Sequence, residues 1–219
     1  MINIFNGPGN HNDHAFLNWR YSIFTKAPYD KFDVMSESYF DATQILLDNI
    51  IENNDDKRAD SVIFSVLFSF HHYIEIKIKA IMNYYVNIEP SNPALIKYLG
   101  KTEEGSLVLK PYPNNEHNIN QLFKELMKII KSSSLKYIEK SDSRFEYLKS
   151  YLKQINKYQI FKDSPQLDFT RYPIGKKEKN YFYTDTNKNI TISPINFKKI
   201  SKHIELELSE LFYQLENYE

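Results

Sequence analysis

The stretch from Ser61 to Asn87 constrains this chain more than any other. Val62, Ile63, Val66, Leu67, Phe70, Tyr73, Ile74, Ile78, Ile81 and Tyr85 belong to an apolar surface that covers most of a helical circumference. A helix that is apolar nearly all round is one enclosed by other elements. Its β-branched residues would also suit a strand, but 27 residues without Gly or Pro are far too long for one. As a helix it spans about 40 Å at 1.5 Å per residue, the length of a bundle's central member.

Helical period recurs on both sides of it. Met35, Tyr39, Ala42, Leu46 and Ile50 form one stripe, so a helix is expected from about Asp33 to Asn53, ended by Asn53-Asn54-Asp55-Asp56. Ile119, Leu122, Leu126 and Ile129 or Ile130 form another. Phe145, Leu148, Leu152 and Ile155 form a third, with Ser141 or Asp142 as its cap. The last helix carries Phe197, Ile200, Ile204, Leu208, Leu211 and Leu215 behind Ser193-Pro194, an N-cap followed by Pro at the first helical position. Between Ile88 and Glu116 runs a long Pro- and Gly-punctuated connection in which Leu107-Val108-Leu109 could form a short strand. Lys179–Thr184 and Ile190–Ser193 flank a polar turn and read as a hairpin. The expected fold is therefore mainly α: about five helices, one long and central, with a small β-hairpin before the last. Residues 1–32, with Asn6-Gly7-Pro8-Gly9-Asn10, read as an irregular N-terminal segment, and 33–219 as a single helical domain.

Composition narrows the chemistry. The absence of cysteine excludes disulfides, thiol catalysis and zinc sites built on Cys. No run of 18 apolar residues occurs and Met1–Asn10 lacks a signal-peptide layout, so a soluble cytoplasmic protein without membrane partners is expected. The formal net charge is zero but unevenly placed: residues 124–202 carry a net +10 between ends of −5 each. A basic block of this kind is either a set of solvated helix faces or a surface that attracts phosphate or an acidic partner. Phosphate-cradling Gly-rich loops, GxSxG and HExxH are all missing, so no cofactor is expected. His11-Asn12-Asp13-His14 offers metal-ligand types without an evident supporting shell, and no metal is expected either.

The central helix interrupts its own apolar surface with His71, His72, Glu75, Lys77 and Lys79. At 100° per residue, His72, Glu75 and Lys79 fall within about 60° of one another, while Lys77 points elsewhere. Imidazole, carboxylate and ammonium in one stripe read either as a site with a base, an acid and a cation, or as a satisfied polar network that fixes helix register. His117-Asn118 immediately precedes a helix, where Asn can cap and His can face a cleft. Arg171-Tyr172-Pro173 places one of only four arginines in a loop, suited to a carboxylate or phosphate, or to a structural pair with Glu75 or Asp168.

Taken together these segments resemble a known family. His72-x-x-Glu75-Ile76-x-Ile78-Lys79-Ala80 resembles the RHxxELxLKA helix of HEPN-like bacterial proteins, many linked to toxin and phage-defence loci. Glu116-His117-Asn118-Ile119-x-x-Leu122 is similar to their GHxLxxL element, and Phe169-Thr170-Arg171-Tyr172-Pro173 to their FRYP segment. The similarity extends over about residues 33–212. It implies an up-and-down helical bundle, often a homodimer, and in active members metal-independent RNA cleavage.

One departure bears on mechanism. HEPN ribonucleases carry Arg-x4–6-His on one helix, whereas here no arginine is followed by such a histidine, and His71 stands where the family-like Arg would be. RNA transesterification needs a base on the 2′-OH, an acid for the leaving oxygen and positive charge on the phosphorane. His72, Glu75, Lys79, His117 and Arg171 are the catalytic candidates, with His71, Asn118 and Tyr172 as binding candidates. The rival readings are a non-catalytic interaction module of a defence complex, partnered by the product of a neighbouring gene, and a nucleotide-binding module gripping phosphate through Arg171 and the lysine block.

Overall fold

The computed structural model describes residues 28–101, 105, 107–110, 116–136, 138–157 and 191–217. The described residues form five helices: α1 (Pro28–Glu52), α2 (Ala59–Ile88), α3 (Ile119–Ser132), α4 (Glu146–Lys157) and α5 (Pro194–Glu216). The fold is a mainly α bundle, as the periodicity requires. α1 begins at Pro28, about a turn before the expected start. α2 begins two residues before and ends one after the expected Ser61–Asn87, and α3, α4 and α5 each contain the apolar stripe read for them, apart from Phe145 just before α4.

Two short strands, β1 (Leu99–Lys101) and β2 (Leu107–Leu109), pair antiparallel with Leu99 opposite Leu109. The structure thus makes a hairpin of the Leu107–Leu109 strand, inside the long connection after α2. The hairpin expected over 179–193 lies outside the described residues except for Thr191–Ser193, which are irregular.

Helix ends follow the local chemistry. α1 stops where Asn53-Asn54 begins. Asp56 and Lys57 then take a left-handed φ of 55° each, and the Asn54 side chain accepts the Ala59 N–H at 2.9 Å to start α2. Ser193 accepts from the Asn196 N–H at 3.3 Å, with Pro194 opening α5. Ser141 accepts from the Ser143 N–H at 3.1 Å and caps a 3-10 turn (Asp142–Phe145) that runs into α4.

α2 is the axis of the molecule. It packs against α1 along its length, and against α3, α5 and β2. Every residue from Tyr73 to Val86 is buried. Phe70, wholly buried, sits edge-on to Tyr151 of α4 and Phe197 of α5, each with ring centroids 5.3 Å away. Such edge-to-face pairs add about 0.5–1.5 kcal/mol each beyond area burial and tie three helices to one side chain. α4 and α5 are joined further by Glu207, whose carboxylate accepts the N–H groups of Tyr147 and Leu148 at 2.7 and 2.9 Å. These are orphan donors of α4's first turn, which a carboxylate satisfies with charge as well as geometry. Beside them the Tyr147 and His203 rings stack at 4.1 Å.

Enclosure on all sides makes a lone charge on α2 costly, so its buried ions are paired. Lys77 binds Asp33 of α1, and its ammonium also lies 4.6 Å from the centre of the Phe212 ring. Glu75 and Lys79 of this helix build the site.

Candidate functional site

Glu75 and Lys79 stand one helical turn apart, so their side chains meet on one face of α2. Lys79 Nζ donates to Glu75 Oε1 at 2.7 Å, and both residues are nearly closed off, at 3% and 8% exposure. Lys79 also fixes the next turn, where its carbonyl accepts the Asn83 side-chain amide at 2.8 Å. The unbroken helix across residues 70–81 satisfies the spacing argument for this stripe.

His117 arrives from the turn before α3. Its Nδ1 lies 2.9 Å from Glu75 Oε1, the oxygen that also holds Lys79. A carboxylate can only accept here, so Nδ1 carries the proton and Nε2 presents its lone pair in the neutral ring. The His117 side chain is 54% exposed, so a buried carboxylate orients an imidazole that itself reaches solvent. Its backbone is pinned as well: Glu116 Oε1 accepts the N–H groups of His117 and Asn118 at 3.0 and 2.8 Å. Asn118 takes the capping alternative, its side chain accepting the Gln121 N–H at 3.3 Å.

The structure therefore brings together Glu75, Lys79 and His117, from two elements 42 positions apart. It places the other histidines elsewhere. His72 lies against the Phe68 and Tyr39 rings, with centroids 4.2 and 5.2 Å away, and its Nδ1 donates to the Phe68 carbonyl at 3.2 Å. His71 is in the core beside Tyr151, its Nδ1 bonded to the Leu67 carbonyl at 3.1 Å. Burial lowers its pKa from the usual 6.5 to about 3, so it is a neutral core residue at physiological pH and not a surface for ligands. Arg171 and Tyr172 lie outside the described residues, as do His11–His14. Among the described residues, Glu75 has partners in Lys79 and His117.

Sequence reasoning missed Glu116 as the group that holds His117. The only available signal was its position directly before His-Asn at a helix start. It also missed a second buried carboxylate, Glu125 of α3. Glu125 accepts from Tyr98 at 2.6 Å, Gln121 at 2.7 Å and Lys128 at 2.8 Å, with Lys97 at 3.6 Å. Burial pushes its carboxyl upward, but hydrogen bonds from Lys128 and Tyr98 and the nearby lysine charges outweigh it and hold the pKa below the usual value. Its acceptor capacity is filled by protein, which marks it as a pin between α3 and the segment before β1.

What the Glu75–His117 pair can do is bounded by its parts. A half-exposed imidazole fixed by a carboxylate is suited to move a proton at Nε2. Lys79 holds the carboxylate in place at 2.7 Å, but its ammonium is itself enclosed by the fold. Among the described residues no three His, Asp or Glu side chains are grouped to hold a metal ion, and no helix is long and apolar enough to cross a membrane. No family model, curated protein or solved structure matches this chain.

Proposed function

We propose that this protein is a HEPN-like bacterial defence or toxin-type ribonuclease that cleaves RNA without a metal ion, with His117 as its proton-transfer group. The observation that carries the reading is the 2.9 Å contact of a solvent-reaching imidazole with a buried, lysine-braced carboxylate on the helix that resembles the family's motif. In this reading His117 Nε2 takes the proton of a ribose 2′-OH, the 2′-oxygen attacks the adjacent phosphorus as the P–O5′ bond breaks, and the leaving 5′-oxygen takes a proton from water. Glu75 and Glu116 are positioning residues, and Arg171 is the candidate for the phosphorane's charge.

A mixed RNA pool incubated with the purified protein in the presence of a chelator tests this. The expected products end in 2′,3′-cyclic phosphate, and His117→Ala lowers the rate by about 10²–10⁴, the usual contribution of a general base, with the melting temperature little changed. Intact RNA, with the protein alone and with the products of neighbouring genes, refutes it.

One observation favours the non-catalytic interaction module instead: Lys79, the cation of the α2 stripe, is almost fully buried and bonded to Glu75. Under that reading His117→Ala changes partner binding or stability and alters no chemistry.

A further inference from the structure

The basic block that opens at Lys124 takes no part in the chemistry at His117, and its first turns lie on α3, the helix that His117 leads into. That helix is enclosed except along one edge. Its exposed positions are Lys124, Lys128, Lys131 and Ser132, so the edge is a row of lysines one turn apart. The only carboxylate of α3, Glu125, is buried.

Glu125 collects more positive charge than it can neutralise. Lys128 Nζ lies 2.8 Å from its Oε1 and Lys97 Nζ 3.6 Å from its Oε2, so one carboxylate holds two ammoniums beside each other. The Lys97 and Lys128 side chains are 54% and 56% exposed, so the cations face water while the anion does not. Lys97 Nζ also sits 4.5 Å from the centre of the Tyr98 ring, which steadies it. Lys110 reaches the same place from the end of β2, its Nζ donating to the Lys97 carbonyl at 3.3 Å. Among the described residues these three ammoniums share Glu125 as their one carboxylate, which leaves a positive surplus at one spot. Like charges gathered in this way attract a polyanion, whose binding releases its counterions.

The geometry selects among anions. A lysine ammonium is a compact, hydrated point charge on a flexible stem, suited to phosphate oxygens that arrive from several directions. From Lys124 to Lys131 the row extends about 10 Å along the helix axis, which follows successive phosphates of one strand and exceeds a single small anion. The row is also continuous with the candidate site. Asn118, Gln121, Glu125 and Lys128 recur at helical spacing on one side of α3, and Lys128 lies about 16 Å along the axis from the turn that carries His117.

We propose that the lysine edge of α3, with Lys97 and Lys110, binds the phosphodiester backbone of a single RNA strand, a partner whose identity rests on the ribonuclease reading. The strand lies along the edge, and a phosphate beyond it reaches His117.

Fluorescence anisotropy of a short labelled 2′-O-methyl RNA with the full chain tests this, because a strand without 2′-hydroxyls can be bound but not cut by the proposed route. Saturable binding is expected with a Kd of about 10⁻⁵ M near physiological salt, weakening linearly in log Kd against log salt. Lys97→Gln, Lys110→Gln and Lys128→Gln should each reduce that slope by about 0.7, the single-strand value for one phosphate, and together weaken binding about tenfold or more. Lys110→Gln leaves the partners of Glu125 in place, so it reports on binding even if Lys128→Gln disturbs the fold. Lys31→Gln, at an exposed position on α1, should bind like the native chain. The proposal is overturned by absence of saturable binding, by folded variants that bind like the native chain, or by equal binding of poly-glutamate, which would make an acidic protein the occupant. Lysine-dependent binding with ordinary RNA left intact would sink the ribonuclease reading and keep the strand site. Cleavage of RNA by variants with native affinity and rate would do the reverse.

Discussion

Replacing Glu75 by Gln keeps the shape of the side chain and removes its charge, which makes it the sharpest probe of the α2 network. Lys79 is 3% exposed and its ammonium sits 2.7 Å from the Glu75 carboxylate. At an effective dielectric of about 20, the gross attraction at that distance is about 6 kcal/mol, most of it offset by the desolvation of both ions. Removing one partner loses the attraction but leaves the other ion enclosed, so Glu75→Gln should destabilise the fold by about 3–5 kcal/mol. In a domain of this size that is a drop in Tm of about 10 °C or more. Lys79→Met alone should also destabilise, by removing the ammonium that neutralises the enclosed carboxylate. The double variant should be more stable than the sum of the two losses predicts, by about 2 kcal/mol or more, since neither charge then remains alone. Urea unfolding of the four proteins at pH 7 supplies the cycle. A loss below about 1 kcal/mol for Glu75→Gln, or additive effects, would refute the claim that this pair is coupled in the interior.

Two further outcomes follow from the same elements. His71 has a folded pKa of about 3 against an ordinary 6.5, so below pH 6.5 the unfolded chain takes up a proton that the folded chain refuses. Stability should therefore fall as pH drops, by about 2 kcal/mol between pH 7 and pH 5 from this residue alone. Unfolding curves of His71→Leu should lose that part of the slope, and an unchanged slope would show that the imidazole is not held neutral. Asn118→Ala removes the α3 cap and should cost about 0.5–2 kcal/mol, whereas Asn118→Gly should cost only a few tenths. Equal losses in the two melts would place the asparagine's role elsewhere.

The helices were legible because enclosure of an apolar stripe leaves a periodic trace in the residues themselves. Asn118 and Ser193 were legible as caps for a similar reason, since a short polar acceptor just before an apolar run has a local use. Glu75 and Lys79 could be paired from spacing alone. The convergence of His117 on Glu75 could not, because nothing in either segment encodes how the loop after α2 returns. His71 and His72 illustrate the limit further. Adjacent residues on a helix point 100° apart, and whether one meets Tyr151 or Tyr39 depends on which helices stand there. Leu99–Lys101 escaped notice because three residues carry no period, and its strand exists only through its partner at 107–109.

The tie between α4 and α5 has an evolutionary consequence. Glu207 on the Tyr147 and Leu148 amides and the Tyr147–His203 stack join the two helices directly, and the Arg144 guanidinium on the Gln214 side chain at 2.7 Å joins α5 to the 3-10 turn before α4. A lineage that changes one ring of the Tyr147–His203 stack, or one side chain of the Arg144–Gln214 pair, is held to changing its partner too, so these positions are expected to vary in pairs.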